Sequence, residues 1–315
     1  MKAKVIIRNV LLTLLVMLTI HLSARYLGFV MAPKYEFEYQ GETIETQDLS
    51  SYYFSNEKRN NADTLFVGSS HVFCSIDVNI MNKEYGKNAL MLATSSQTLD
   101  LSYYAIMSAI PMQHPKRIFL ETVCATFTEP RQKLLSTRAL LNDLPNWSKG
   151  KLLAAKASGL PMYYFLYPIT DLHNAWWKVR AKDFILPRLP EGERFCYYDG
   201  RVMELDDWSP SPDIEGEEIP EDNLFWLNKI VQLCRENDTE LILFTAPFPA
   251  TQWEQTILRR INDYAKENGL VYYNLMDDYK KIGIDFRTDF FDYQHLNTNG
   301  QRKVSRYMAE NCMDF

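Results

Sequence analysis

The chain has 315 residues, 46% of them hydrophobic, which suffices for one large α/β core or two small domains. A formal net charge of −6 and a pI near 5.5 exclude the basic surface of a nucleic-acid binder, so no nucleic-acid partner is expected. Five cysteines without a CxxC pair exclude a zinc knuckle or a thioredoxin-type motif, and no cofactor is expected.

Lys2, Lys4 and Arg8 precede an apolar run from Val10 to Leu22, which Arg25 closes. The run is shorter than the ~20 apolar residues of an average spanning helix, but Arg8 and Arg25 can snorkel to the two interfaces and lengthen it. The basic flank predicts a cytoplasmic N-terminus and an exported remainder. A cleaved signal peptide is the rival reading. Cleavage wants small residues at alternate positions; Leu22 stands two before Ala24, and Ala32 has Val30 two before it and Pro33 after it. An uncleaved single-pass anchor over residues 1–34 is therefore preferred, and both readings place the main domain outside the cytoplasmic membrane. Outside the cytoplasm some of Cys74, Cys124, Cys196, Cys234 and Cys312 could pair, with at least one left over; most are expected as small buried apolar residues.

Residues 35–62 are polar and predict a stem, with a short strand around Tyr35 to Tyr39. The main domain is expected over residues 63–315. Its pattern begins with Thr64 to Val67, a short buried strand that Gly68 breaks into a tight turn presenting Ser69 and Ser70. A helix is expected near Asp77 to Tyr85, then a strand over Asn88 to Ala93 and a polar turn, Thr94 to Gln97. Ser96 could cap the amphipathic helix that runs to about Ile110, and Arg117 to Thr122 reads as a third strand. Strands alternating with helices predict a parallel sheet flanked by helices on both faces, a flavodoxin-like three-layer α/β fold.

Between 128 and 220 the alternation stops. Leu135 to Leu144, the aromatic stretch Pro161 to Tyr167, Trp176-Trp177 and the acidic stretch Asp213 to Glu221 read as a partly helical insertion or cap. Its aromatics line an acyl or sugar site, dip into the membrane interface, or form the insertion's own core. The rhythm resumes with a helix over Asp222 to Glu236, a strand over Glu240 to Thr245, a turn at Ala246 to Pro249 and a helix from Thr251 to Asn268 that Gly269 closes. Val271 to Asn274 is the last strand. The final helix begins near Thr298 or Asn299.

Ahead of that helix stands Asp289-Phe290-Phe291-Asp292-Tyr293-Gln294-His295-Leu296-Asn297. A serine hydroxyl is a weak nucleophile until an imidazole takes its proton, and the imidazole acts best when a carboxylate fixes its tautomer. Ser70 follows the first strand, and Asp292 and His295 follow the last, so a doubly wound sheet brings all three to its carboxyl edge. An ordinary turn at Gly68-Ser69-Ser70 and a solvated loop histidine are the plain alternatives, and the pairing of the two stretches favours chemistry. Asp289 either braces its loop or is merely solvated. His71, His114 and His173 read as structural. A divalent cation at Asp289, Asp292 and His295 lacks a second ligand cluster, and no metal is expected.

The Gly68-Ser69-Ser70 turn and the Asp292-Tyr293-Gln294-His295-Leu296 block resemble the first and last blocks of the SGNH, or GDSL-type, hydrolase superfamily. The anchor, the Gly-Ser-Ser-His turn and the sequence from Asp289 to Gly300 are most similar to its membrane-anchored, envelope-facing branch. That branch includes proteins of teichoic-acid D-alanylation and of alginate-type O-acetylation. The resemblance spans roughly Thr64 to Leu120 and Leu241 to the C-terminus, and is absent from the insertion. It implies an SGNH three-layer fold with Ser70 as nucleophile, His295 as general base and acid, and Asp292 as orienter. The usual Gly-Asp-Ser is Gly-Ser-Ser here, the second-block glycine has no clear match, and Glu121-Thr122 stands where the third-block asparagine would. Oxyanion donors are then expected from the Ser70 backbone N–H and from Ser96 or Gln97, with Ser95 in the same region, while Glu121 is expected to face a hydroxyl donor or an ion-pair partner. The implied activity is that of an extracytoplasmic esterase or O-acyltransferase acting on an envelope polysaccharide or teichoic acid, with a multipass membrane O-acyltransferase as donor partner. A non-catalytic scaffold that binds a glycan or such a partner is the alternative.

Overall fold

A computed structural model describes residues 2–31, 34–39, 42–47, 62–128, 148–159 and 202–313, with 137, 140, 141, 144, 177 and 181 between them. The rest of the stem, most of the insertion with its Pro161–Tyr167 and Trp176 aromatics, His173 and Cys196 lie outside the described residues.

Helix α1 (Lys2–Met31) extends well beyond the apolar run in both directions. Within it Lys2–Ala24 is long and apolar enough to cross a membrane, and the rest of the protein covers 0% of its apolar window. Its 23 residues span roughly 34 Å of helix, enough for a hydrocarbon layer of about 30 Å. Strands β1 (Lys34–Tyr39) and β2 (Glu42–Gln47) pair antiparallel, with Phe37 opposite Ile44. The sequence predicts only the first of these strands. Glu42–Gln47 holds a single aliphatic residue, so no period of two is visible in it, and pairing with β1 supplies the order that pattern could not.

The sheet is built from β3 (Thr64–Gly68), β4 (Ala89–Ala93), β5 (Arg117–Glu121), β6 (Glu240–Thr245) and β7 (Val271–Asn274). All neighbours are parallel, in the order β4-β3-β5-β6-β7. β3 and β4 are buried along their whole length, which is why they read as continuous apolar runs rather than alternating ones. Leu65, Val67, Ile118, Leu120, Leu241 and Leu243 face one helical layer. Phe66, Phe119 and Phe244 face the other, in a ladder whose first pair stacks at 4.9 Å between ring centroids. The chain steps from β3 outward to β4, then back across to β5 on the other side. The crevice between the carboxyl ends of β3 and β5 is therefore the switch point at which ligands of such sheets bind.

Short helix α2 (Ser70–Ser75) follows β3 directly, and α3 (Val78–Tyr85) follows that, capped by the Asp77 side chain. Sequence reasoning places no helix at Ser70. Helix α4 (Leu99–Gln113) starts after Thr98, not after Ser96. Ser96 takes a left-handed φ of +53° inside the preceding turn, so it cannot adopt the extended backbone of a capping residue. In the insertion, α5 (Lys149–Ala157) packs on α4, with the Ser108 and Ser148 hydroxyls 3.0 Å apart. Residues 202–220 carry no helix or strand and run back across the protein, with Leu205 and Trp208 packed on the Phe66 side of the sheet. Helices α6 (Glu221–Glu236) and α7 (Gln252–Glu267), the latter opened by a Thr251–Glu254 capping box, cover the Leu65 face. The single turn α8 (Tyr279–Ile282) and helix α9 (Thr298–Asn311) complete the Phe66 side.

Helix α9 holds the two ends of the chain in register. The buried Gln301 amide donates to the Phe73 carbonyl of α2 at 2.7 Å and to Ile76 at 3.3 Å, and Ser305 Oγ accepts from Asp77 N–H at 2.8 Å. The Phe73 and Ile76 carbonyls lie at and just past the C-terminal end of α2, where a helix leaves acceptors without partners. Gln301→Leu is expected to lower stability by about 1–3 kcal/mol, the cost of buried acceptors left bare, read from the midpoint of chemical denaturation.

Candidate active site

Each element brings one group to the switch-point crevice. β3 ends at Gly68, whose φ of +154° turns the chain sharply into α2. The Ser69 side chain caps that helix, its oxygen accepting from His71 N–H at 3.3 Å. The capped turn leaves Ser70 half-buried at the crevice. From the other end of the chain, Ser70 Oγ meets His295 Nε2 at 2.8 Å across 225 residues of sequence. His295 Nδ1 lies 3.1 and 3.0 Å from the two Asp292 oxygens.

The Asp292–His295 loop is held by its own backbone. Asp292 Oδ1 accepts from the Gln294 and His295 N–H groups, each at 2.8 Å. Phe291 N–H donates to the His295 carbonyl, and Phe290 and Leu296 form an isolated antiparallel bridge. Asp289 braces the base of the loop: it is buried, ion-paired with Lys303 at 2.6 Å, and accepts from Asp285 N–H. Asn297 caps α9 through its side-chain oxygen while its amide returns to the Thr288 carbonyl. Gly300 lets the Asp289 carbonyl approach so closely that a Cβ there would meet it at 2.7 Å. The loop is therefore rigid where the ring must be aimed. Tyr293, between Asp292 and His295, projects outward and is 63% exposed.

Electrostatically the three groups suit proton transfer. Burial would raise the Asp292 carboxyl, but the His295 ring and the two backbone N–H groups outweigh it and hold the carboxyl below its usual range. An ionised carboxylate only accepts, so the proton of a neutral His295 sits on Nδ1 and leaves Nε2 as an acceptor facing the Ser70 hydroxyl. Beside it His71 is buried, its ring 5.1 Å from that of His295 and 5.1 Å from Phe248. Burial first, then the neighbouring imidazole, pushes His71 down to about 3, so it packs as a neutral ring.

The predicted oxyanion donors fare differently. Gln97 is fully buried, and its turn consumes it: Oε1 accepts from Thr94 N–H and Oγ1, Nε2 donates to Ser102 Oγ at 3.0 Å, and its backbone N–H donates to Thr94. That side chain shapes the turn and has no donor to spare. Ser96, half-buried in the same turn beside the end of β3, makes no protein hydrogen bond among the described residues. The Ser70 N–H likewise has no acceptor among them. Glu121 faces a hydroxyl, as expected: Ser69 Oγ and Glu121 Oε2 are 3.1 Å apart, while Oε1 accepts from Val123 N–H at 2.6 Å. Sequence reasoning missed this Ser69–Glu121 pair, whose members are 52 residues apart. It missed as well the buried hydroxyl chain Thr122–Thr245–Tyr272, at 2.7 and 2.6 Å, along the same sheet edge.

The strand order, the helices on both faces and the loops gathered at one edge give a three-layer α/β fold with a parallel sheet. No family model matches the chain, and no curated protein matches it. Similar solved structures include a protein assigned to the G-D-S-L lipolytic family from Desulfitobacterium hafniense DCB-2, at 12% identity and a TM-score of 0.39, covering 79% of this chain and 98% of that one. Another is the psychrotrophic esterase EstA from Pseudoalteromonas sp., inhibited by monoethylphosphonate, at 8% identity and a TM-score of 0.37, covering 80% of this chain and 96% of that one.

Proposed function

We propose that this chain is a membrane-tethered, extracytoplasmic serine esterase or O-acyltransferase that carries an acyl group as an ester on Ser70. The observation that supports it most is the unbroken hydrogen-bonded run from Ser70 Oγ through the His295 ring to the Asp292 carboxylate. His295 Nε2 takes the Ser70 proton as Oγ attacks the carbonyl carbon of an acyl donor. The tetrahedral oxyanion takes the Ser70 N–H, with Ser96 N–H as second donor. Collapse breaks the bond to the leaving oxygen, which takes the proton back from His295. An acceptor hydroxyl then attacks the Ser70 ester with the same base, and Ser70 regains its proton on release.

The acceptor is a hydroxyl of an envelope polysaccharide or teichoic acid in the transferase form, and water in the esterase form. Lys2, Lys4 and Arg8 ahead of the apolar stretch favour a cytoplasmic N-terminus with the sheet outside. In the transferase form a multipass membrane O-acyltransferase supplies the donor, and water must be kept from the Ser70 ester.

The test uses the full-length chain in detergent with a fluorophosphonate. A single adduct mapped to the Ser70 peptide by mass spectrometry is expected. No adduct would overturn the reading and leave a non-catalytic scaffold on the same fold. Acetyl release from a model ester, followed with and without a sugar acceptor, then separates hydrolysis from transfer.

A further inference from the structure

One ionisable group beneath the nucleophile has no part in that reaction. Glu121 is 0% exposed at the end of β5, and its Cβ lies where any side chain on residue 68 would sit. No lysine or arginine pairs with it among the described residues. The ionisable groups on the elements packed around it are His71 on α2, Cys124 just after β5, Asp100 on α4 and Tyr272 on β7. None of them is a cation at neutral pH. Its partners are the hydroxyl and N–H of Ser69, which caps the helix that begins at Ser70, and the Val123 and Cys124 N–H groups.

Building on the reading of Ser70 as nucleophile, we propose that Glu121 is a positioning residue that clamps the Gly68–Ser70 turn through Ser69 in its uncharged form, and that losing its proton switches the site off. In the uncharged form Oε1 accepts from Val123 N–H, and the acid proton on Oε2 points to Ser69 Oγ. Ser69 Oγ still receives His71 N–H, so the cap persists. When the proton leaves to water, the Ser69 hydroxyl turns toward the carboxylate. A negative charge then stands behind the Ser70 N–H, in a dry site where the developing oxyanion is also negative. The two charges repel at low effective dielectric, which raises the barrier to acylation. Burial drives the Glu121 carboxyl up to about 8, against the hydrogen bonds from Val123 and Ser69, so the group is uncharged at neutral pH and ionises just above it.

The experiment follows fluorophosphonate labelling of Ser70 in the full-length protein as a function of pH. In the wild type the rate is expected to fall on an alkaline limb near 8. Glu121→Gln keeps the shape, cannot ionise, and is expected to lose the alkaline limb while staying within ~10-fold of the wild-type rate at neutral pH. Glu121→Ala empties the clamp and is expected to slow labelling by ~10- to 100-fold across the whole range. Ser69→Ala breaks the clamp but leaves the carboxyl in place, so it is expected to slow labelling and to keep an alkaline limb that Glu121→Gln loses. A limb unchanged in Glu121→Gln would overturn this inference alone. Absence of wild-type labelling at every pH would overturn the nucleophile reading and this one with it. Infrared spectroscopy adds a readout free of activity: a protonated-carboxyl band at neutral pH, absent in Glu121→Gln, is expected, and its absence in the wild type would refute the uncharged clamp.

Discussion

Ser70→Ala is expected to abolish covalent labelling, and His295→Ala to slow it by ~10⁴- to 10⁶-fold, because either change leaves the attack without an activated oxygen. Asp292→Asn tests the third member more sharply. The loop holds Asp292 Oδ1 through two backbone N–H groups at 2.8 Å, so an asparagine would keep its oxygen there and turn its amide toward the ring. An amide N–H facing Nδ1 makes that nitrogen the acceptor and moves the ring proton to Nε2. The Ser70 hydroxyl then meets a donor where it needs a base. The expected loss is about 10⁴-fold in kcat/KM on a model acetyl ester, with little change in the melting temperature. Members of one proton relay do not add, so the Ser70→Ala/His295→Ala double variant should be no slower than Ser70→Ala. An Asp292→Asn variant within ~10-fold of wild type would mean that the carboxylate braces the loop and does not orient the ring.

How much of this was legible in the sequence depends on the range of the signal. The buried strands announced themselves: Thr64 to Val67 and Glu240 to Thr245 are short apolar runs bounded by turn residues, and the structure adjusts their ends by one position at most. The Asp292–His295 spacing was readable because the carboxylate and the ring share one turn and need no distant partner to meet. Apart from Ser70 with His295, the side-chain pairings on that edge were not readable. Gln97 looked like a spare amide, and only packing reveals that Thr94 and Ser102 use it up. Ser96 looked like a cap, and only its left-handed backbone removes it from that role. Glu121 stood out as an acid at the end of a buried strand, which is a cost that must be offset somewhere. Its partner could not be named without knowing that β3 lies beside β5. Pattern thus located the edge where the chemistry gathers, and packing decided which polar groups on that edge are occupied.

The nucleophile turn itself carries the second large effect. Gly68 has a φ of +154°, and a Cβ built there would lie 2.7 Å from Glu121 Cβ and 2.8 Å from Val72 Cγ2. Neither neighbour is the loose end of a long side chain. Glu121 Cβ is fixed to a central strand, and Val72 is a stiff β-branched residue in the first turn of the helix that begins at Ser70. Gly68→Ala must therefore displace β5 or α2. Overpacking of this kind costs about 1–3 kcal/mol, and a backbone that side chains other than glycine rarely adopt adds roughly 1–3 more. Of the two, α2 is the easier to move, because it is only six residues long and its far end is hydrogen-bonded to the separate helix α9 through Gln301 and Ser305. Its movement carries Ser70 Oγ away from His295 Nε2. A shift of about 1 Å is enough to lower the labelling rate by ~100-fold. Thermal melting and labelling kinetics on the same preparation separate the two effects. A lowered melting temperature with normal labelling of the folded fraction would place the strain in β5, and an unchanged protein would contradict the contact altogether. Val72→Ala in the Gly68→Ala background removes the contact with α2 but not the one with Glu121, so it should recover labelling more than stability. That asymmetry is what a turn wedged between a rigid strand and a short helix must show.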